Sequence, residues 1–227
     1  MKKYYYTIIT ILFFGLISCS DEEAKTKNLA ASRPTVPLQN GEVQIGTQVW
    51  MTKNLDVSRY RNGDPIPQVT DPTEWIGLTT GAWCYYSNSN GNGIVYGKLY
   101  NGYAVMDPRG LAPVGWHVPN DTEWIALKTN LGTNSGIKMK SKTGWQTTTN
   151  YMGTNSSGFT ALPGGRRTSV EGVTVFAGQY GYFWSTTAES SPNNNVNSYW
   201  QLGYNWPSLS QYSNFLAAGK SVRCVKD

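Results

Sequence analysis

The hexamers Thr-Glu-Trp-Ile-Gly-Leu at 73–78 and Thr-Glu-Trp-Ile-Ala-Leu at 122–127 agree in five of six letters. They are either two units of a repeat or one local device used twice. A repeat array needs similarity across a whole period and at least three units. The flanks do not match: Thr-Thr-Gly-Ala-Trp-Cys follows the first copy and Lys-Thr-Asn-Leu-Gly the second. What the copies share is a helix start. Asp71 precedes Pro72, which suits the first helical position, and Glu74 sits three residues after the cap; Asn120 and Glu123 repeat that spacing. Trp124, Leu127 and Leu131 then fall on one helical stripe, and Gly132 ends it. The expectation is one domain with two helices.

Working outward, the chain divides at about residue 40. Lys2 and Lys3 precede an apolar stretch from Tyr4 to Leu16, too short to span a bilayer comfortably and suited to a signal-peptide core. It ends in Leu-Ile-Ser-Cys, which resembles the bacterial lipobox. Residues 1–18 are therefore read as a lipoprotein signal peptide, Cys19 as the lipidated residue, and 19–40, with Pro34 and Pro37 and no hydrophobic period, as a flexible tether. The membrane is a partner through that anchor. The acidic Ser-Asp-Glu-Glu beginning at Ser20 resembles surface-export signals of Bacteroidetes lipoproteins. The expected location is the outer membrane, facing outward.

The whole chain is rich in Trp 9, Tyr 15 and Gly 24 and poor in charge, at 15%, and all the Trp and most of the Tyr and Gly fall in residues 41–227. That is the composition of a loop-rich domain with much strand. Glu42–Met51 alternates around Gly46-Thr47 and reads as a hairpin. Short strands are expected in 82–87, 95–105, 158–165, 172–178, 180–187, 198–204 and 221–227, with Asn/Gly-rich connectors such as 87–93 between them. The formal net charge of +5 falls to +3 once Lys2 and Lys3 leave. Arg166-Arg167 is the only basic pair that stands out, so no nucleic-acid partner is expected.

Seven blocks, from Val-Gln-Ile-Gly-Thr-Gln-Val-Trp-Met at Val43 to Ser-Val-Arg-Cys-Val-Lys-Asp at Ser221, resemble the Fibrobacter succinogenes major paralogous domain over nearly all of 41–227. The family occurs in exported bacterial proteins and is similar in fold to C-type lectins and formylglycine-generating enzymes. The resemblance implies an α+β, C-type-lectin-like domain with small twisted antiparallel sheets, two helices and long loops. It also implies a disulfide joining Cys84 to Cys224. Read from the residues alone, an even pair of cysteines in an exported protein favours a bridge, against two free thiols or a metal or copper pair. One His in the whole chain leaves a metal few ligands.

No catalytic constellation declares itself, and an enzyme is not expected. His117 is the sole histidine and sits just before a helix cap, where a structural role suffices. There is no G-x-S-x-G elbow, no nucleotide loop in 91–97, and the 189–200 stretch has one acid, too few for calcium. No cofactor and no metal are expected. The stretch 181–218 is paratope-like in its Tyr, Trp, Ser and Asn content. Within it Tyr204, Trp206 and Tyr212 are the candidate ligand-binding residues. The functional expectation is a lipid-anchored cell-envelope binding or adhesion module whose ligand is a glycan or an envelope protein. The alternative is an oxidase or hydrolase on a formylglycine-generating-enzyme-like fold.

Overall fold

A computed structural model describes residues 36–38, 41–190 and 195–227. The expected signal peptide, Cys19 and almost all of the tether lie outside the described residues. Along the chain come strands β1 (Val36–Leu38), β2 (Glu42–Ile45) and β3 (Gln48–Met51), helix α1 (Pro72–Ile76) and strand β4 (Trp83–Cys84). Helix α2 (Asn90–Tyr96), strand β5 (Leu99–Asn101), helix α3 (Gly102–Val105), strand β6 (Trp116–His117) and helices α4 (Asp121–Leu131) and α5 (Ser135–Met139) follow. The remainder is strand: β7 (Gly164–Arg167), β8 (Thr174–Ala177), β9 (Tyr180–Ala188), β10 (Val196–Gly203), β11 (Ser210–Phe215), β12 (Gly219–Lys220) and β13 (Val225–Lys226). The fold is mixed α and β.

Both hexamers begin helices. Asp71 accepts from the Glu74 amide, and Asn120 and Glu123 close a reciprocal capping box at α4. Trp124, Leu127 and Leu131 are buried, and Gly132 ends the helix at φ +66°. The hairpin at 42–51 also forms, with Ile45 opposite Gln48. Two helices were expected, and the structure has three more. Asn90–Tyr96, read as part of a glycine-rich loop, is α2, and Gly102–Val105, read as strand, is α3, capped by Asn101, whose side chain accepts from the Ala104 amide. Ser210–Phe215 is a strand that its polar sequence concealed.

Two sheets result. The smaller is ordered β1-β2-β3-β13-β6 and the larger β11-β10-β9-β7-β12-β5-β4, with β8 beside β7. The last nine residues thus enter both: β12 lies between β7 and β5, and β13 between β3 and β6. Between those strands Arg223 is fully buried. Its guanidinium donates to the carbonyls of Met51 (2.9 Å), Phe159 (2.6 Å) and Thr160 (3.3 Å) and to Asn54 Oδ1 (2.9 Å), and lies 4.4 Å from the Phe159 ring centroid. Burial pulls it down to about 9, so it stays charged at neutral pH.

Strand alternation assigns side chains to opposite cores. Tyr182 and Trp184 on β9 and Tyr199 on β10 join a cluster with Tyr100, Val222 and Cys224. Phe183, Trp200 and Leu202 join the other, with Trp50, Trp124 and Phe159. In that second core Trp50 and Trp124 are 4.8 Å apart, and Asp121, at the start of α4, accepts from Trp200 Nε1, Ser198 Oγ and Gln211 Nε2. The helix N-terminus is thereby tied to β10 and β11.

The same alternation overturns the Cys84–Cys224 disulfide. Both thiols are free and buried. Trp83 shares the cluster of Cys224, whereas Cys84 points to the other side of β4, among Val69, Trp75, Ala82 and Leu99. A bridge needs Cβ atoms within about 4.5 Å and facing each other. Burial pushes the thiols up to about 11 for Cys84 and about 12 for Cys224.

Two outcomes are expected. Arg223→Met strands several buried carbonyls and should cost about 3–5 kcal/mol of unfolding free energy, from the usual penalty of breaking a buried charged network; urea unfolding with a loss below 1 kcal/mol would remove Arg223 from that role. Denaturing alkylation without reductant should label Cys84 and Cys224 separately, and a linked Cys84–Cys224 peptide by mass spectrometry would refute the arrangement.

Candidate functional site

The feature most suited to binding grows from β9. Its sequence Tyr-Gly-Tyr-Phe-Trp puts Tyr180, Tyr182 and Trp184 on one face. The register with β10 sets Tyr199 against Trp184, and that with β11 sets Tyr212 against Tyr199. Ring centroids step from Trp184 to Tyr199 (6.4 Å), then to Tyr212 (5.8 Å, stacked) and Trp206 (6.4 Å). From Trp206 the row closes on Tyr180 (5.6 Å), which also meets Tyr204 (6.1 Å), Tyr182 (5.9 Å) and Phe176 (5.6 Å). The row runs outward. Trp184 is fully buried, Tyr180 and Trp206 are half-buried, and Phe176 and Tyr212 are 43% and 44% exposed.

The three residues singled out from sequence therefore share one neighbourhood with different exposures. Tyr212 is exposed, Trp206 half-buried, and Tyr204 half-buried with its ring packed on the second core. The turn bearing Tyr204 and Trp206 is held from beneath. Lys140, fully buried, donates to the carbonyls of Gly203 (3.0 Å), Tyr204 (3.4 Å), Trp206 (3.2 Å) and Tyr151 (2.6 Å). Burial pulls Lys140 down to about 8, still charged at neutral pH. Sequence reasoning missed Tyr180, Tyr199 and Phe176. The alternation in 180–184 marked Tyr180; Tyr199 and Phe176 depended on strand pairings the sequence does not display.

Glycine lets the strands under this face approach. Gly165 on β7 pairs with Gly181 on β9 in the one parallel contact of these strands. A Cβ on Gly165 would fall 2.5 Å from the Val175 carbonyl oxygen, and its φ of +66° already suits glycine. The face is also lined by positive charge: Arg166 lies 5.2 Å from the Tyr182 centroid and 5.8 Å from that of Phe176. By contrast, a cleft of about 360 Å³ at the small sheet mixes Glu42 and Asp56 with Lys53 around Trp116.

His117 occupies a different place. Its Nδ1 is 2.7 Å from Asp227 Oδ1 and its Nε2 2.7 Å from Glu123 Oε1. Facing a carboxylate at each ring nitrogen, the imidazole needs a proton on both. Burial alone would lower its pKa, but Glu123 and Asp227 together outweigh that and raise it. Glu123 also caps α4, so the histidine fastens the helix start to the chain's last residue.

With this geometry in place, comparison with known proteins gives one finding. The sequence model described as the Fibrobacter succinogenes major domain matches residues 43–226. No curated protein and no solved structure matches the chain.

The His117 arrangement has a pH signature. Its raised folded-state pKa means that its contribution is full below the unfolded value of about 6.5 and is lost as pH climbs through the folded value. Thermal melts of the wild type and His117→Gln should differ most near pH 5.5 and converge toward pH 9. A gap independent of pH would refute the coupling.

Proposed function

The chain belongs to the Fibrobacter succinogenes major domain family, and on that premise we propose that it is a binding or adhesion module of the bacterial cell envelope whose ligand is a glycan. The observation that carries the reading is the graded aromatic row from Trp184 to Tyr212. Rings anchored in a core at one end and open at the other give rigid contact area at little entropic cost. The Lys140 clamp fixes the turn of Tyr204 and Trp206 before any ligand arrives, which reduces the ordering that binding must supply. The small sheet, the flanking helices and the long irregular segments accord with a C-type-lectin-like fold.

The remaining elements belong to the same proposal. Cys19 carries the lipid, residues 20–35 form the tether up to strand β1, which pairs with β2, and the module faces outward from the outer membrane. Catalysis is not part of it. A thiol oxidase would need two reactive sulfurs acting together, and Cys84 and Cys224 are buried in separate clusters with their pKa values pushed up by burial. His117 has both nitrogens engaged by carboxylates.

A glycan array probed with the full chain is expected to give binding that Trp206→Ala and Tyr212→Ala each weaken about 5- to 30-fold, the range of a truncated aromatic contact worth 1–2 kcal/mol. Silence across the array, or binding indifferent to both substitutions, would end the proposal.

A further inference from the structure

Two cations stand beside the aromatic row with nothing to balance them. The register that pairs Gly219 with Arg167 sets Lys220 directly opposite Arg166 on the neighbouring strand. Like charges opposite one another destabilise a sheet. Lys220 is fully buried, and its Nζ has no hydrogen-bond partner among the described residues. The Arg166 Nε is also buried without one, and Arg166 forms no ion pair among them. Aromatic rings are what Lys220 does meet: its Nζ lies 3.7 Å from the Trp184 centroid and 4.5 Å from that of Tyr199.

Magnitudes show that this is not a settled structural arrangement. A cation over aromatic rings recovers only part of what burying an ammonium costs, even after relaxation. The burial and the neighbouring Arg166 accordingly hold the Lys220 pKa well below its ordinary value. The other buried cations are treated differently. Arg167, next in sequence to Arg166, is capped by the carbonyls of Gly172, Val69 and Thr70 (2.6–2.9 Å), and Lys140 and Arg223 are likewise surrounded by acceptors. The cost at Arg166 and Lys220 is left open, and it is left open next to half-exposed rings.

We propose that the Arg166–Lys220 pair is the seat of an anionic group, a carboxylate or a sulfate, carried on a glycan whose sugar rings lie on the neighbouring aromatics. This rests on the glycan-binding reading and narrows it to acidic glycans. Arg166, part exposed and rigidly forked, makes the direct contact. Lys220 lies behind it, and an anion seated at Arg166 would favour its protonated form in a poorly screened interior. Tyr180 and Phe176 flank the anion and take the ring faces, with the buried Tyr182 packed behind them.

The test is titration of the full chain, followed by intrinsic Trp fluorescence, with three probes: oligogalacturonate for carboxylate, a sulfated galactan oligosaccharide for sulfate, and an uncharged galactan oligosaccharide. At least one acidic probe is expected to bind ten-fold or more tighter than the uncharged one, with the advantage shrinking as salt rises. Arg166→Gln should abolish that advantage, so that acidic and uncharged probes bind the variant equally. Lys220→Met should reduce it and raise the melting temperature, a combination that a purely structural lysine would not give. Equal binding of charged and uncharged probes, or an advantage that survives Arg166→Gln, overturns the acidic-glycan inference and leaves the aromatic binding face standing. If none of the three probes binds while the array of neutral glycans does, the inference again falls alone; if neither binds, both readings fall. A lower melting temperature for Lys220→Met would make the lysine structural and also overturn its assigned role.

Discussion

Arg223 sits where the end of the chain passes from one sheet to the other, and the architecture is built around satisfying it. A guanidinium has five donors and no way to lose its charge at neutral pH, so burying it commits the surrounding backbone. Met51 on β3, Asn54 just beyond it, and the segment at Phe159–Thr160 all turn oxygen toward it. The two segments that carry these groups are far from each other in sequence and far from Arg223. One side chain therefore fixes the position of the amino-terminal hairpin, the middle of the chain and the terminal strands together. This lets a loop-heavy domain hold its form with its two cysteines unpaired.

From that junction the order of events along β9 and β10 follows. Val222 and Cys224 go to one core while Arg223 and Val225 face the other, and the larger sheet separates the two in the same alternating way. On the second core Asp121 receives three donors and pins β10 and β11 to α4. On the first, the aromatic row emerges to solvent at the edge strand β11 and at β8. The aromatic face is thus the outer margin of a core, which explains how its rings can be both rigid and accessible.

The legible parts of the fold were those written locally. Capping pairs at Asp71 and Asn120, the Trp124–Leu131 stripe and the alternation of 42–51 depend on neighbours within a few residues, and all three form. Strand β11 was hidden because Ser210–Phe215 is polar and partly exposed on an edge, where pairing and not burial holds it. Helix α2 was hidden because Gly91 and Gly93 argue against helix by propensity. Its position is dictated by packing: a Cβ on Gly93 would fall 2.4 Å from the Tyr85 ring, so glycine is required there. The cysteine pairing failed for a reason of parity, since a one-residue difference on β4 decides which side of the sheet a side chain enters. At the candidate site, Trp206 and Tyr212 were marked by composition, whereas Arg166 and Lys220 become neighbours only through a register that no local pattern reveals.

The buried cations give this molecule its internal contrast. Arg167, Lys140 and Arg223 each meet a ring of carbonyl oxygens, and each locks separate segments together: the α1 approach, the 203–206 turn and the sheet junction. Buried Lys98 is likewise provided for, by the carboxylate and carbonyl of Asp56 and the Tyr85 hydroxyl, so a chain that supplies acceptors for four buried positive charges has the means to do so for a fifth. At Lys220 it provides two aromatic faces and a second cation. Polar groups left unsatisfied inside a native protein mark either strain held for a purpose or a partner that arrives from outside. The open margin of the aromatic row favours the second, because it places the missing negative charge where a ligand could bring it.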